Sequence, residues 1–303
     1  MTRRDAMTAQ LASSDLRKES TVQTTWLQRL RLFLLFLLCE AVIFIFGSYY
    51  VDIFPTNRNL TYNLIVSTVF LAASLWFKYD RSLNRYWQIA FAFFIASVAF
   101  PFTAIFDGWI RAVLGWFAVT TDTSKGQAIE KICEMLLKTI PILVLVKLSG
   151  ADMGSVFIKR GELKLGLGIG ALVFFFLGTA TFMFAVERFT SADTLVAAVV
   201  WGLIFSAANG FMEELWLRGI FLKRFAPLIG INGAVWVTSI IFASMHSFVF
   251  YFNPFALTFF FVNTLALGLG CGYLMMKSDN LWGATLIHAA SDFFLFVAVL
   301  ASV

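Results

Sequence analysis

The chain has 303 residues, 60% of them apolar and only 14% charged, which is too little polar surface to coat a soluble globule of that size. Lipid is therefore the solvent for most of it, and at about 20 residues per span the length leaves no room for a separate soluble domain. The formal net charge of +5 comes from basic residues scattered among the connecting segments, a distribution that reports topology and excludes a nucleic-acid-binding patch.

Taken in chain order, residues 1–30 are polar and rich in Ser and Thr, and read as a cytoplasmic tail. The run from Leu32 to Val51 is longer than the apolar core of a signal peptide and lacks a small-x-small cleavage site, so it is expected to be an uncleaved first span. Further apolar windows fall near 60–77, 87–106, 128–148, 165–186, 194–222, 231–251, 255–276 and 280–301. The expected fold is all-α: a polytopic transmembrane helical bundle of about nine spans. With the N-terminus cytoplasmic, sixteen Lys and Arg fall in inside segments, and only Arg58, Arg111, Lys125 and Arg188 fall outside, the bias that the positive-inside rule expects.

Between the third and fourth windows, Asp107 is placed to cap a short interfacial helix carrying Trp109, Ile110, Val113, Leu114, Trp116 and Phe117 on one face, with an ordinary aromatic-belt loop as the alternative. Gly166, Gly168 and Gly170 superficially resemble a nucleotide loop. No strand precedes them, and close helix packing is the better account, as it is for Gly268 and Gly272. Cys39, Cys133 and Cys271 are odd in number, far apart and set in apolar stretches, against both a disulfide framework and a Cys-ligated metal.

An ionisable side chain at the centre of a membrane helix costs roughly 2.5 to 3.5 kcal/mol on insertion scales, so each needs a partner, a cavity or a function. The sixth window holds three. Glu214 and Arg218 are spaced i,i+4 and share a face, where they can pair. Glu213 is rotated about 100° away and has no local cation, the setting of a carboxylate that takes and returns a proton. The only two histidines, His246 and His288, fall in the seventh and ninth windows, and Asp292 follows His288 at i,i+4. Counting along the helices places Glu213, His246 and His288 in one zone of the bilayer. Two carboxylates, two imidazoles and an acidic neighbour around a wet pocket suit an activated water or a metal that activates one. Lys131, Glu134 and Lys138 are spaced to pair among themselves, with substrate contact as the lesser reading. Glu40 has no local cation, and nothing in the sequence ties it to the histidines.

Together, Glu213-Glu214-x-x-x-Arg218, Phe242-x-x-x-His246 and His288-x-x-x-Asp292 resemble the ordered motifs of the CPBP group of membrane proteins. That group includes the type II CAAX prenyl endopeptidases and bacteriocin-processing or self-immunity proteins. The resemblance covers about residues 194–301 and divides the chain into the tail, N-terminal transmembrane helices over 31–190 and a catalytic core over 191–303. It implies an intramembrane endopeptidase of glutamate type in the bacterial cytoplasmic membrane, acting on a peptide or protein substrate within the lipid bilayer. Glu213 and His246 would activate the water, Glu214 and Arg218 would brace the site, and His288 and Asp292 would face the oxyanion or the substrate. Asp292 stands where the prenyl endopeptidases have Asn, and an ionised Asp cannot donate to an oxyanion. No cofactor is expected on this reading; zinc held by His246, His288 and Glu213 is the metal-dependent alternative. Two other classes compete: a non-catalytic immunity or scaffold protein, and a proton-coupled transporter using Glu213 and Glu214 as relays.

Overall fold

A computed structural model describes residues 25–48, 56–189, 191–248 and 253–300. Most of the expected tail, residues 1–24, lies outside them, as does the end of the first expected window. Among the described residues the protein is an all-helical bundle without strands: α1 (Trp26–Phe44), α2 (Thr56–Tyr79), α3 (Trp87–Trp116), α4 (Ser124–Leu148), α5 (Leu163–Val186), α6 (Ala192–Glu213), α7 (Leu222–Ser247), α8 (Pro254–Ser278) and α9 (Trp282–Leu300). Six of these helices are long and apolar enough to cross a membrane, namely α2, α3 and α5 to α8. The nine expected spans thus correspond to nine helices, of which α1 and α4 carry more charge and α9 is short over its apolar stretch.

Local chemistry sets the helix starts. Thr25 and Gln28 form a reciprocal capping box at the head of α1, so this helix begins six residues before the expected window. Ser191 caps α6 by accepting from Thr194 N, and Asn253 with Pro254 starts α8. Residues 107–117 do not form the separate interfacial helix or loop expected of them. They continue α3, a helix of 30 residues that runs unbroken through Pro101, and Asp107 is ion-paired to Arg111 one turn on instead of capping. The sixth window, 194–222, also changes character inside: α6 ends at Glu213, and a π-helical turn spans Glu214–Gly219, with Ile220 N bonded to Leu215 O at 3.1 Å. The stretch Leu222–Ser247 is two helical pieces joined at Gly230, whose φ of 79° and ψ of 162° are a non-helical conformation that only glycine adopts freely, so the second piece begins at Ile231, where the seventh window was expected to begin.

Packing brings α9 against α5 and α6, α7 against α8, and α1 against α7. Small residues set the α9 contacts. A Cβ added to Gly283 would stand 2.2 Å from the Gly166 carbonyl oxygen, and one on Gly170 would stand 2.7 Å from that of Gly283. Gly268 and Gly272 likewise pack, against Arg218 and Ser239 and against Val235, whereas Gly168 meets nothing within 4 Å and is not part of the contact expected of it. Gly283→Ala is therefore expected to destabilise the protein by about 1–3 kcal/mol, since backbone must move to admit the methyl group. Gly168→Ala is expected to leave stability unchanged or raise it, because alanine is the better helix former. Thermal unfolding in detergent separates the two.

The start of α9 is pinned by the segment before α5. Trp282 Nε1 donates to Lys159 O at 3.2 Å, Leu281 N to Phe157 O at 3.2 Å and Asn280 Nδ2 to Arg160 O at 3.2 Å. Asp279, at the turn, accepts from Lys223 at 2.5 Å and is paired with Lys159. Partial burial pushes its carboxyl upward, but the two ammonium groups outweigh this and hold it below the ordinary carboxylate range.

Candidate active site

Where α6 crosses α9 the backbones touch. A Cβ on Gly210 would lie 2.9 Å from Thr285 O and 3.1 Å from Ala289 N, and this approach carries Glu213 and Glu214 to the face of α9 that bears His288 and Asp292. From α7, His246 closes the third side. Glu213 Oε2 lies 3.5 Å from His246 Nε2 and 3.6 Å from His288 Nε2, so three helices bring together the acid and both imidazoles expected to meet. Both distances are too long for direct hydrogen bonds and suit one intervening water. Glu213 Oε2 has no hydrogen-bond partner among the described residues.

The two histidines are held from their other nitrogens. His246 Nδ1 is 2.8 Å from the Phe242 carbonyl one turn earlier, which makes Nδ1 the donor and leaves the Nε2 lone pair toward Glu213. His288 Nδ1 is 2.7 Å from Glu214 Oε1, and the same oxygen accepts from Arg218 Nη1 at 2.5 Å. Glu214, Arg218 and His288 are all essentially inaccessible to solvent, whereas 31% of the His246 side chain is exposed. The brace is therefore interior and the acid–imidazole pair faces a more open region. The Phe242 ring lies 4.2 Å from the Arg218 guanidinium and 4.4 Å from His246, which explains an aromatic residue at that place.

Asp292 Oδ1 is 3.6 Å from His288 Nε2, so it is Glu214 and not Asp292 that hydrogen-bonds this imidazole. Asp292 instead accepts from Asn209 Nδ2 at 2.9 Å. Asn209 carries no recognisable signal in the sequence; its position one turn before Glu213 on the α9-facing side is the only cue. Lys131 and Lys138 both bond Glu134, at 2.6 and 2.5 Å, as their spacing indicates. The fold adds what spacing cannot give: these three line a cavity of about 160 Å³ together with Glu213, Trp216 and Met245. A larger cavity of about 410 Å³ lies among α1, α2 and α3, is almost wholly apolar and is remote from these carboxylates. Among the described residues no three His, Cys, Asp or Glu side chains are disposed to hold a metal ion.

The fold and site define a polytopic membrane protein with a carboxylate–imidazole centre enclosed by its C-terminal helices. Residues 194–294 match the family of type II CAAX prenyl endopeptidase Rce1-like proteins. The match spans all three motifs and bears out the CPBP resemblance. That family is one of proteases, which supports a hydrolase role for a multi-pass integral membrane protein. No curated protein and no solved structure matches the chain.

Proposed function

We propose that the protein is an intramembrane endopeptidase of glutamate type that cleaves a membrane-associated or exported peptide substrate in the bacterial cytoplasmic membrane. The observation that carries this reading is Glu213 Oε2, without a hydrogen-bond partner among the described residues and 3.5 Å from His246 Nε2 and 3.6 Å from His288 Nε2. A water between Glu213 and His246 loses a proton to Glu213 as its oxygen bonds to the substrate's carbonyl carbon. His288, as the imidazolium, donates from Nδ1 to Glu214 and from Nε2 to the oxyanion. Collapse breaks the C–N bond, and Glu213 returns its proton to the departing amine. Glu214 and Arg218 fix the His288 ring, and Asp292, held by Asn209, supplies an acceptor beside it for the substrate or the imidazolium.

Comparing membrane fractions from cells carrying wild type or Glu213→Gln by mass spectrometry tests the assignment. Uncut precursor is expected to accumulate in the variant. Identical peptide profiles at equal expression would favour a non-catalytic scaffold instead.

A further inference from the structure

The apolar cavity of about 410 Å³ among α1, α2 and α3 has a definite shape. Its walls run from Leu32 to Cys39 on α1, from Phe77 to Phe70 on α2 and from Tyr86 to Phe93 on α3. At 1.5 Å per residue, each wall is roughly 10 Å long, about two helical turns. The cavity is thus a slot parallel to the helices, a shape that suits an extended hydrocarbon chain. The fold explains it: α2 packs along α3, whereas α1 leans on α7 and hardly meets α2. At one end α1 and α2 are tied, Tyr62 Oη donating to Val42 O at 2.8 Å and Asn63 Nδ2 to Gly47 O at 2.9 Å. Past these ties the slot separates them, with Ile89, Ala90 and Phe93 of α3 buried along its floor. An apolar cavity of this kind stays dry and takes apolar matter.

The other end of the slot carries positive charge. Its rim residues Leu32, Phe77 and Tyr86 are each next in sequence to a base, Arg31, Lys78 and Arg85, and Leu83 stands two residues from both Arg81 and Arg85. The Arg85 guanidinium lies 4.6 Å from the Tyr86 ring, and the Lys78 ammonium lies 5.2 Å from the Trp87 ring. Asn84 Nδ2 donates to Lys78 O at 2.7 Å, which closes the turn between α2 and α3 and keeps these bases together. All four bases are exposed. The acid within the turn, Asp80, already accepts from the Ser82 and Leu83 amides and the Ser82 hydroxyl. A basic mouth on an intramembrane slot is the arrangement that takes an anionic headgroup with its chain. Residues 1–24 contain no apolar run that could fill the slot instead.

We propose that this slot is a binding site for an anionic phospholipid, one acyl chain lying between α1 and α2 and the phosphate meeting Arg81 and Arg85 at its mouth. The site belongs to the N-terminal helices, outside the 194–294 segment that matches the family, and it does not rest on the proteolytic reading.

Thermal unfolding of the purified full-length protein in dodecyl maltoside, with phosphatidylglycerol or phosphatidylcholine of identical chains added, tests the site. Phosphatidylglycerol is expected to raise the melting temperature by a few degrees more than phosphatidylcholine does. Arg81→Gln combined with Arg85→Gln is expected to abolish that difference. So is Ala73→Phe, which puts a ring into the slot but leaves every base in place. Equal shifts for the two lipids in the wild-type protein would overturn the headgroup assignment, and an undiminished difference in Ala73→Phe would overturn the slot. Glycerol phosphate matching phosphatidylglycerol would mean an anion bound without its chain, and would overturn the proposal as well. Should Ala73→Phe yield no folded protein, photolabelling of the wild type by a phosphatidylglycerol with a diazirine in its acyl chain decides. Labels are expected within 32–39, 70–77 and 86–93, and labels spread evenly over the helices would overturn the site.

Discussion

Glu213→Gln is expected to reduce cleavage by about 10²- to 10⁴-fold, the range by which a positioned general base contributes, while the melting temperature stays at the wild-type value. The two halves of this expectation have separate causes. Glutamine keeps the volume of glutamate but cannot take a proton, so the water loses its base. Stability is spared because Glu213 Oε2 has no hydrogen-bond partner to lose among the described residues. His246→Ala should behave alike: its side-chain hydrogen bond among the described residues is to Phe242 in its own helix, and its side chain is 31% exposed. If the two groups handle the same water, the double variant should be hardly worse than either single one. Turnover of a substrate found by the membrane-fraction comparison gives the rates; either variant retaining full activity would remove Glu213 and His246 from the chemistry.

Much of this centre is legible before any coordinates because intramembrane charge is expensive and therefore sparse. A chain with two histidines leaves few ways to assemble a polar site, and i,i+4 spacing alone pairs Glu214 with Arg218 as found at 2.5 Å. The helix count follows from the same scarcity of charge. What escapes sequence reading depends on rotation and on breaks. The π-helical turn at Glu214–Gly219 lies inside a run whose apolar composition gives no sign of it, whereas the break at Gly230 falls just before the expected start of the seventh window. Asn209 looks like any small polar residue in a packed helix until α9 brings Asp292 within 2.9 Å of it. The partner of His288 is likewise set between helices: Asp292 is the neighbour in sequence, but Glu214, 74 residues away, makes the bond. The 107–117 segment is misread for the opposite reason, since an aromatic face with an acidic residue at its head fits an interfacial helix and the tail of a long one equally well.

Adjacent in sequence to Glu213, Glu214 should give the opposite result. Its Oε1 receives both Arg218 Nη1 at 2.5 Å and His288 Nδ1 at 2.7 Å, with all three side chains at 1% exposure or less. Glu214→Gln keeps an accepting oxygen for both donors but removes the charge, and it puts an amide nitrogen at the buried Oε2 position, which has no hydrogen-bond partner among the described residues. Stripping one partner from a buried ion pair costs roughly 3–5 kcal/mol, because the surviving charge is left in low dielectric. The expected outcome is a fall in melting temperature on the order of 10 °C, at about 2–4 °C per kcal/mol for a chain of this order of size, with activity lost together with folded protein. Thermal unfolding of Glu213→Gln and Glu214→Gln side by side makes the comparison, and a Glu214→Gln protein melting with wild type would mean that Arg218 and His288 draw their compensation from elsewhere. The difference arises because the π-helical turn begins between the two acids: Glu213 closes α6 facing the accessible side, and Glu214 opens the turn facing the core. One rotation of about 100° thus separates a carboxylate whose Oε2 has no hydrogen-bond partner among the described residues from one that bonds a guanidinium and an imidazole.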